Sequence, residues 1–200
     1  MKTAFLSLLA AATVALVGCD NLSKPSTLDQ PHEATVDTAV VYRNNQSAAE
    51  ALERSFDRTK NVLVTQTLPE IKQKSVTVTG DADFEVYSVD ETVLFDFDKS
   101  MLKPTAAATL DEIVASIGQR FANKNVRVMG FADSRGDASY NLQLGHDRAD
   151  AVKKYLVETG KLPDDKVSTE SFGEQKPVST NETAAGRKAN RRVEIAVRVR

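Results

Sequence analysis

The feature that most constrains the fold is a β-rich run that ends at a glycine and leads, through a polar turn, into a long amphipathic helix. The strand is predicted over 126–130, and the turn after it carries Asp133. The helix, predicted over 138–159, carries Asn141 and Arg148. Its inward stripe consists of Leu142, Ala149, Val152 and Leu156. An acidic side chain at the end of the strand and a basic side chain in the following helix are thus expected near each other. This arrangement suits a ligand with both an ammonium and a carboxylate group.

Strand-like and helical patterns alternate through the rest of the C-terminal half. A second apolar stripe has the spacing of one helix face and consists of Leu110, Ile113, Val114, Ile117 and Phe121. Further strands are predicted over 92–97, 167–172 and 193–199, with a short helix over 182–190. The order β-α-β-α-β-(α)-β from about residue 92 predicts an α+β fold, a two-layer sandwich of two long helices on a four-stranded sheet. The alternation in the last strand predicts that it is half-buried, with a polar outer side.

The N-terminus has the pattern of an export signal. Lys2 precedes an uncharged apolar run over 4–17, which is shorter than the roughly 20 residues of a membrane span and typical of a signal peptide. The run ends in Leu-Val-Gly-Cys19, which resembles the bacterial lipobox, where cleavage leaves a lipid-modified cysteine. Cys19 is the only cysteine in the chain, and lipidation with palmitate explains an unpaired cysteine in an exported protein. Asp20 resembles an inner-membrane retention signal.

These patterns divide the chain into four parts. They predict a signal peptide over 1–18, a lipidated tether over 19–45, a small N-terminal region of unassigned role over 46–90 and one main domain over 91–200. In the small region, a capping box begins a helix predicted over 47–60 and extendable to residue 72. A hairpin with strands over 75–79 and 84–88 is predicted after it.

The main domain carries several motifs that agree in order and spacing with one known family. They are N-L-Q-L-G-H-D-R-A-D-A-V-K-K-Y-L from Asn141, F-G-E from Phe172, Pro177, Asn181, and G-R-K-A-N-R-R-V-E from Gly186. Together they resemble the OmpA-like C-terminal domain, which also occurs in Pal-like peptidoglycan-associated lipoproteins. The resemblance covers about half of the chain, from about residue 92 to the end.

This resemblance implies a domain that binds peptidoglycan non-covalently through the diaminopimelate of the stem peptide. It implies ligand-binding roles for Asp133, Arg148, Asn141, Arg191 and Asp98. By residue type, Asp133 would hold the ammonium group, and Arg148 would hold the carboxylate through two parallel N–H donors.

The chain departs from the family pattern at three positions near this site. The family has His and Thr where Phe131 and Ala132 stand, and it has Ser where Gly145 stands. These departures bear on affinity more than on the class of ligand. Arg192 follows Arg191 directly, so the two side chains are expected on opposite sides of a strand, with at most one of them lining the site and the other in a salt bridge.

Other function classes have weaker support in the sequence. Asp96 and Asp98 follow a predicted apolar strand as D-x-D, which resembles the motif of magnesium-dependent haloacid-dehalogenase-type phosphatases. His146 is expected at the surface, and with His32 as its one companion it predicts no metal site. A net charge of −2 argues against a nucleic-acid partner.

The expected protein is not an enzyme and has no cofactor or metal. We expect a cell-envelope lipoprotein that faces the periplasm and tethers a membrane to the cell wall. The outer membrane is favoured, and Asp20 makes the inner membrane the alternative. An OmpA-like scaffold that recruits protein partners without binding the wall is the second hypothesis.

Overall fold

The β-rich runs of the sequence form six strands of one sheet in the computed structural model, which describes Phe56 and residues 62–200. The strands are β1 (Val64–Gln66), β2 (Val76–Gly80), β3 (Phe84–Asp90), β4 (Val126–Phe131), β5 (Val167–Gly173) and β6 (Arg192–Arg198). The helices are α1 (Glu91–Leu94), α2 (Ala106–Arg120), α3 (Ala138–Glu158) and α4 (Ala184–Asn190), with a 3-10 turn at Asp164–Lys166.

The spatial order of the strands is β1-β2-β3-β6-β4-β5. Strands β4 and β5 run parallel, and the other neighbouring pairs are antiparallel. The last strand, β6, therefore lies between β3 and β4, and Ile195 is aligned with Tyr87 on one side and Val128 on the other. This insertion brings the residues just before β6 close to the end of β4.

The main core lies between the sheet and the two long helices. Both predicted helical stripes are buried there, with Leu110, Ile113, Val152 and Leu156 each fully buried. Leu142 is the exception, because its side chain is 41% exposed although its carbonyl accepts a hydrogen bond from β5. The predicted α+β two-layer class is confirmed, with six strands rather than four.

The strand predicted over 92–97 is wrong. Asp90 caps the single helical turn α1 by accepting a hydrogen bond from the backbone N–H of Thr92 at 2.9 Å, and Phe95 forms an isolated bridge with Leu102. Leu94 and Phe95 are fully buried, and a short apolar run of this kind does not distinguish a strand from a buried helical turn. Strand β3 takes the place of the predicted strand beside β6.

The hairpin predicted in the preceding region is confirmed as β2 and β3. Its turn is closed by Asp81, whose carboxylate accepts from the backbone N–H groups of Asp83 and Phe84. The predicted boundary at residue 90 falls between β3, which ends at Asp90, and the helical turn α1, which begins at Glu91. The extension of the preceding helix to residue 72 is wrong, since Val64–Gln66 is a strand.

The other predictions for the N-terminal part fall on residues that the structure does not describe. They are the signal peptide over 1–18, the tether over 19–45 and, apart from Phe56, the helix over 47–60. Among the residues that are described, no helix has the length and apolar character needed to cross a membrane.

The sheet face opposite the two long helices carries a second, smaller apolar cluster, which we call the outer-face cluster. It consists of Phe56, Phe84, Val86, Met129, Phe131 and Ala196, with Leu63 and Phe172 packed against it. The prediction of a half-buried last strand is wrong, because Glu194 is 9% exposed and Ala196 is fully buried. Alternation along β6 marks its two faces, but it carries no information on what covers the second one.

Candidate ligand-binding site

Helix α3 meets strand β4 at a point where each element has a glycine. A Cβ atom on Gly130 would lie 2.0 Å from the Gly145 carbonyl oxygen, and one on Gly145 would lie 2.4 Å from Ser171 Oγ. The two backbones therefore approach more closely than larger residues allow. Arg148 follows Gly145 by about one helical turn. The contact thus sets the distance between Arg148 and the turn that carries Asp133.

Asp133 is buried in the turn after β4, with 6% of its surface exposed. Its Oδ1 accepts a hydrogen bond from the backbone N–H of Arg135 at 2.8 Å, which closes the turn. Its Oδ2 accepts from Nη1 of Arg191 at 2.6 Å. Because β4 pairs with β6, two residues 58 positions apart in the sequence form this charge-assisted bond.

Arg148 is also buried, with 3% of its surface exposed. Its Nε donates to the backbone carbonyl of Lys99 at 2.9 Å, and its Nη1 donates to Oε2 of Glu91 at 2.7 Å. The guanidinium lies over the ring of Phe95, 5.4 Å from its centroid. The predicted base is therefore held in one direction by a carboxylate, a carbonyl and an aromatic face.

Glu91 connects the base to the rest of the site. Its Oε2 also lies 3.7 Å from Nε of Arg191, which in turn contacts Asp133. Burial raises the pKa of the Glu91 carboxyl above its ordinary value, against the opposing effects of Arg148 and Arg191. Two basic and two acidic side chains thus alternate along one chain of contacts, which we call the salt-bridge network. Its members are Arg148, Glu91, Arg191 and Asp133. Their formal charges sum to zero.

The structure therefore joins the predicted acid and base indirectly, each through its own internal counter-ion. Glu91 is not among the predicted site residues, because the sequence pattern places it just before a strand that does not form. No local pattern marks it, since its role follows from the way α1, α3 and β6 meet.

Asn141 is buried and supports the turn that carries the acid. Its Nδ2 donates to the carbonyls of Asp133 and Arg135 at 3.2 and 2.9 Å, and it lies 3.1 Å from Oε2 of Glu174. The side-chain amide therefore fixes the shape of the 133–135 turn from the first turn of α3.

Asp98 lies at the rim of the site, in the exposed loop over 96–101. Its backbone has a φ of 60°, in the left-handed region, and its Oδ1 accepts from the Tyr140 hydroxyl at 2.7 Å. This hydrogen bond raises the pKa of the Tyr140 phenol. The next residue, Lys99, supplies the carbonyl that Arg148 contacts, so the loop is attached to α3 at two neighbouring points.

The prediction that the two adjacent arginines lie on opposite sides is confirmed, and both of them form salt bridges. Arg191 reaches Asp133, whereas Arg192 lies on the other sheet face and pairs with Glu194 at 2.7 Å. His146 is a surface residue, as predicted, and contacts Asp150 one helical turn away at 3.1 Å.

Phe131 and Ala132, the two residues before Asp133 that differ from the family pattern, contribute to packing. Phe131 belongs to the outer-face cluster, where it stacks on Phe172 with ring centroids 5.3 Å apart and lies under the guanidinium of Arg192 at 3.7 Å. Ala132 is buried, and its N–H donates to the Gly173 carbonyl at 2.8 Å. The Phe131 side chain thus packs on the sheet face away from the salt-bridge network.

The phosphatase alternative loses its structural premise, because Asp96 and Asp98 do not follow a strand. Both residues are exposed, and Asp96 contacts Lys103 at 3.8 Å. Over the part of the chain that the structure describes, no group of three or more metal-ligating His, Cys, Asp or Glu side chains occurs.

Fold and site together define a two-layer α+β domain with a buried, charge-balanced site at the end of its sheet. Residues 94–191 match the OmpA family, and the chain contains an OmpA-like domain. The chain is 41% identical over 113 residues to the outer membrane porin F of Pseudomonas fluorescens, a match that covers 56% of this chain and 34% of the relative. It is 34% identical over 122 residues to the probable lipoprotein YiaD of Escherichia coli, covering 61% of this chain and 55% of the relative. The chain thus spans about a third to about half of these relatives.

A solved structure from Pseudomonas aeruginosa has a similar fold. It is described as the cell wall anchor of the T6SS, and it matches with a TM-score of 0.59 and 29% identity. The match covers 66% of this chain and 92% of that structure. Relatives of this domain are thus known from the bacterial envelope.

Proposed function

We propose that this chain is a cell-envelope lipoprotein whose OmpA-like domain binds peptidoglycan non-covalently, through the diaminopimelate of the stem peptide. The observation that carries the proposal is that the motif acid and the motif base, Asp133 and Arg148, are both buried and belong to one salt-bridge network. A pair of buried, oppositely charged groups held by rigid elements is suited to a ligand that is itself a zwitterion.

In this proposal each charged end of the ligand replaces an internal ion pair. The ammonium of diaminopimelate binds Asp133, and the carboxylate on the same carbon binds Arg148 through parallel N–H donors. Arg191 supports Asp133 from the side of β6, and Asn141 keeps the 133–135 turn in shape. Asp98 lines the entrance on the exposed loop. The reaction is binding only, with no bond made or broken.

The second attachment in this proposal is a lipid on Cys19, which places the domain in the periplasm on a membrane. A domain bound to the wall and a lipid bound to a membrane strengthen each other, because both belong to one chain. The similarity to a probable lipoprotein and to outer membrane proteins supports this location, with the outer membrane favoured and Asp20 leaving the inner membrane as the alternative.

A pull-down on purified peptidoglycan sacculi tests the wall attachment. The soluble chain without residues 1–19 is expected to sediment with sacculi, and free diaminopimelate in excess is expected to release it. Asp133→Asn and Arg148→Lys are expected to lose binding, because the first removes the charge and the second removes the parallel donors. Arg120→Lys is the matched control, since Arg120 pairs with Glu85 away from the site, and it is expected to bind normally.

Retention of all binding by both site variants would disprove the assignment of the site. A chain that does not bind sacculi at all would favour the second candidate, a scaffold for protein partners. The observation in favour of that candidate is that both Asp133 and Arg148 are already paired and almost fully buried.

The lipid attachment has its own test. Full-length chain expressed in cells supplied with labelled palmitate is expected to take up the label and to fractionate with membranes. Cys19→Ser is expected to abolish both, and unchanged labelling in that variant would contradict the proposed lipid site.

A further inference from the structure

A carboxylate of the protein, that of Glu91, already binds the Arg148 guanidinium to which the ligand's carboxylate would bind. Oε2 of Glu91 lies 2.7 Å from Nη1 of Arg148, and both side chains are about 95% buried. Nε of Arg148 is engaged by the Lys99 carbonyl at 2.9 Å. Two of the three guanidinium nitrogens are thus engaged before any ligand arrives.

We propose that Glu91 competes with the ligand's carboxylate for Arg148, and that it thereby sets the affinity of the site and makes it dependent on pH. This inference rests on the proposed function, since it assumes a ligand with a carboxylate at Arg148. Glu91 is a specificity-determining residue in this scheme, because a ligand without a carboxylate gains nothing from displacing it.

The physical reason is repulsion between two carboxylates at one buried guanidinium. When the ligand's carboxylate binds Arg148, Glu91 must move away, share the donor group or take up a proton. Uptake of a proton relieves the repulsion and leaves Glu91 as a neutral hydrogen-bonding group. Binding is then linked to protonation, so affinity rises as the pH falls.

The other groups around Glu91 fit this linkage. From α3 it faces Arg148, and from the residue before β6 it faces Arg191, whose other contact is Asp133. Its neighbour along the chain is Asp90, the last residue of β3, which contacts Lys188 at 3.4 Å. Burial, and to a smaller extent Asp90, raise the pKa of Glu91, while the two arginines lower it. The ligand's own α-carboxyl stays ionised down to about pH 3.5, so it is not the group that titrates first.

Calorimetric titration of the soluble chain with free diaminopimelate tests the proposal. At pH 7.5, Glu91→Gln is expected to bind about tenfold more tightly than the parent, the factor that corresponds to one pKa unit of interaction between two carboxylates. Between pH 7.5 and 5.5 the parent is expected to tighten and the variant to change much less. Glu170→Gln is the matched control. Glu170 pairs with buried Arg127 at a distance of 3.1 Å, and this pair lies outside the salt-bridge network.

A second measurement does not depend on the variant folding. Titration of the parent in two buffers of different ionisation enthalpy reports proton uptake, which is expected to be a fraction of one proton per ligand. No uptake between pH 5.5 and 7.5 would overturn the inference. Weaker binding by Glu91→Gln with an unchanged pH profile would also overturn it, by making Glu91 a positioning residue for Arg148 while the proposed function stands. Failure of the parent to bind diaminopimelate at any pH would overturn both.

Discussion

At the scale of single residues, the site holds charged side chains that are buried from solvent. Arg148 has 3% of its surface exposed, and its charge is balanced by Glu91 rather than by water. Buried pairs of this kind contribute little net stability as a whole, but removal of one partner leaves the other charge buried and uncompensated. A residue proposed for binding is therefore also a structural residue.

The first prediction concerns this dependence. Arg148→Ala is expected to lower the free energy of unfolding by about 3–5 kcal/mol, because Glu91 would remain buried with only the more distant Arg191 as a counter-ion. Urea denaturation followed by circular dichroism measures the change. Addition of Glu91→Gln to Arg148→Ala is expected to recover part of the loss. A loss below about 1 kcal/mol would show that the pair is solvated in solution.

At the scale of elements, the position of α3 on the sheet decides the geometry of the site. The helix approaches β4 through Gly130 and Gly145, and Ser171 of β5 occupies the remaining space beside the helix. The Ser171 hydroxyl also donates to the Leu142 carbonyl at 2.7 Å. This arrangement gives a physical reason for glycine at 145, where the family has serine: a hydroxyl from the neighbouring strand fills that space.

The second prediction follows from this contact. Gly145→Ser is expected to destabilise the domain by about 1–3 kcal/mol, because its Cβ would lie 2.4 Å from Ser171 Oγ. It is also expected to weaken sacculus binding, since Arg148 moves with the helix. Combining it with Ser171→Ala is expected to restore much of the stability.

Gly118→Ala is the matched control for that prediction. Gly118 is exposed in the last turn of α2, and a Cβ there would meet nothing within 4 Å. This variant is expected to stabilise the domain by about 0.5–1 kcal/mol through helix propensity. Thermal melts of the variants compare them directly. Equal effects of the two glycine substitutions would rule out the steric explanation.

At the scale of the whole molecule, residues before the OmpA match contribute to the folded unit. Strands β1 to β3 precede the matched residues 94–191 and are joined through β6 to the matched strands β4 and β5, and Phe56 packs in the outer-face cluster. The ring centroid of Phe56 lies 5.9 Å from that of Phe84 and 4.6 Å from the Arg127 guanidinium. The region over 46–90, which had no predicted role, thus contributes part of the outer-face cluster.

The third prediction tests this contribution. Phe56→Ala is expected to lower the free energy of unfolding by about 3–5 kcal/mol, the usual cost of truncating a buried phenylalanine. Phe97→Ala is the matched control, because Phe97 is 88% exposed, and it is expected to change stability by less than about 0.5 kcal/mol. Chemical denaturation measures both. A negligible effect at Phe56 would mean that the outer-face cluster is stable without it.

Part of the fold was predictable because it depends on local spacing. Residues such as Ile113 and Leu156 recur with the period of a helix, which located α2 and α3, and Val126 and Val167 lie in β-rich runs, which located β4 and β5. The hairpin of β2 and β3 also followed from a local signal, the turn at Gly80 and Asp81. Such signals depend only on neighbours along the chain.

The rest was decided by the tertiary structure. The run after Asp90 is apolar enough for a strand, but β3 occupies the place beside β6, and the run forms one buried helical turn instead. That turn brings Glu91 to Arg148 across 57 positions of sequence. The sequence determined which residues carry charge and which faces are apolar, because these are properties of side chains and their periodicity. Only the fold decided which charges neutralise one another, because that depends on distances between elements far apart in the chain.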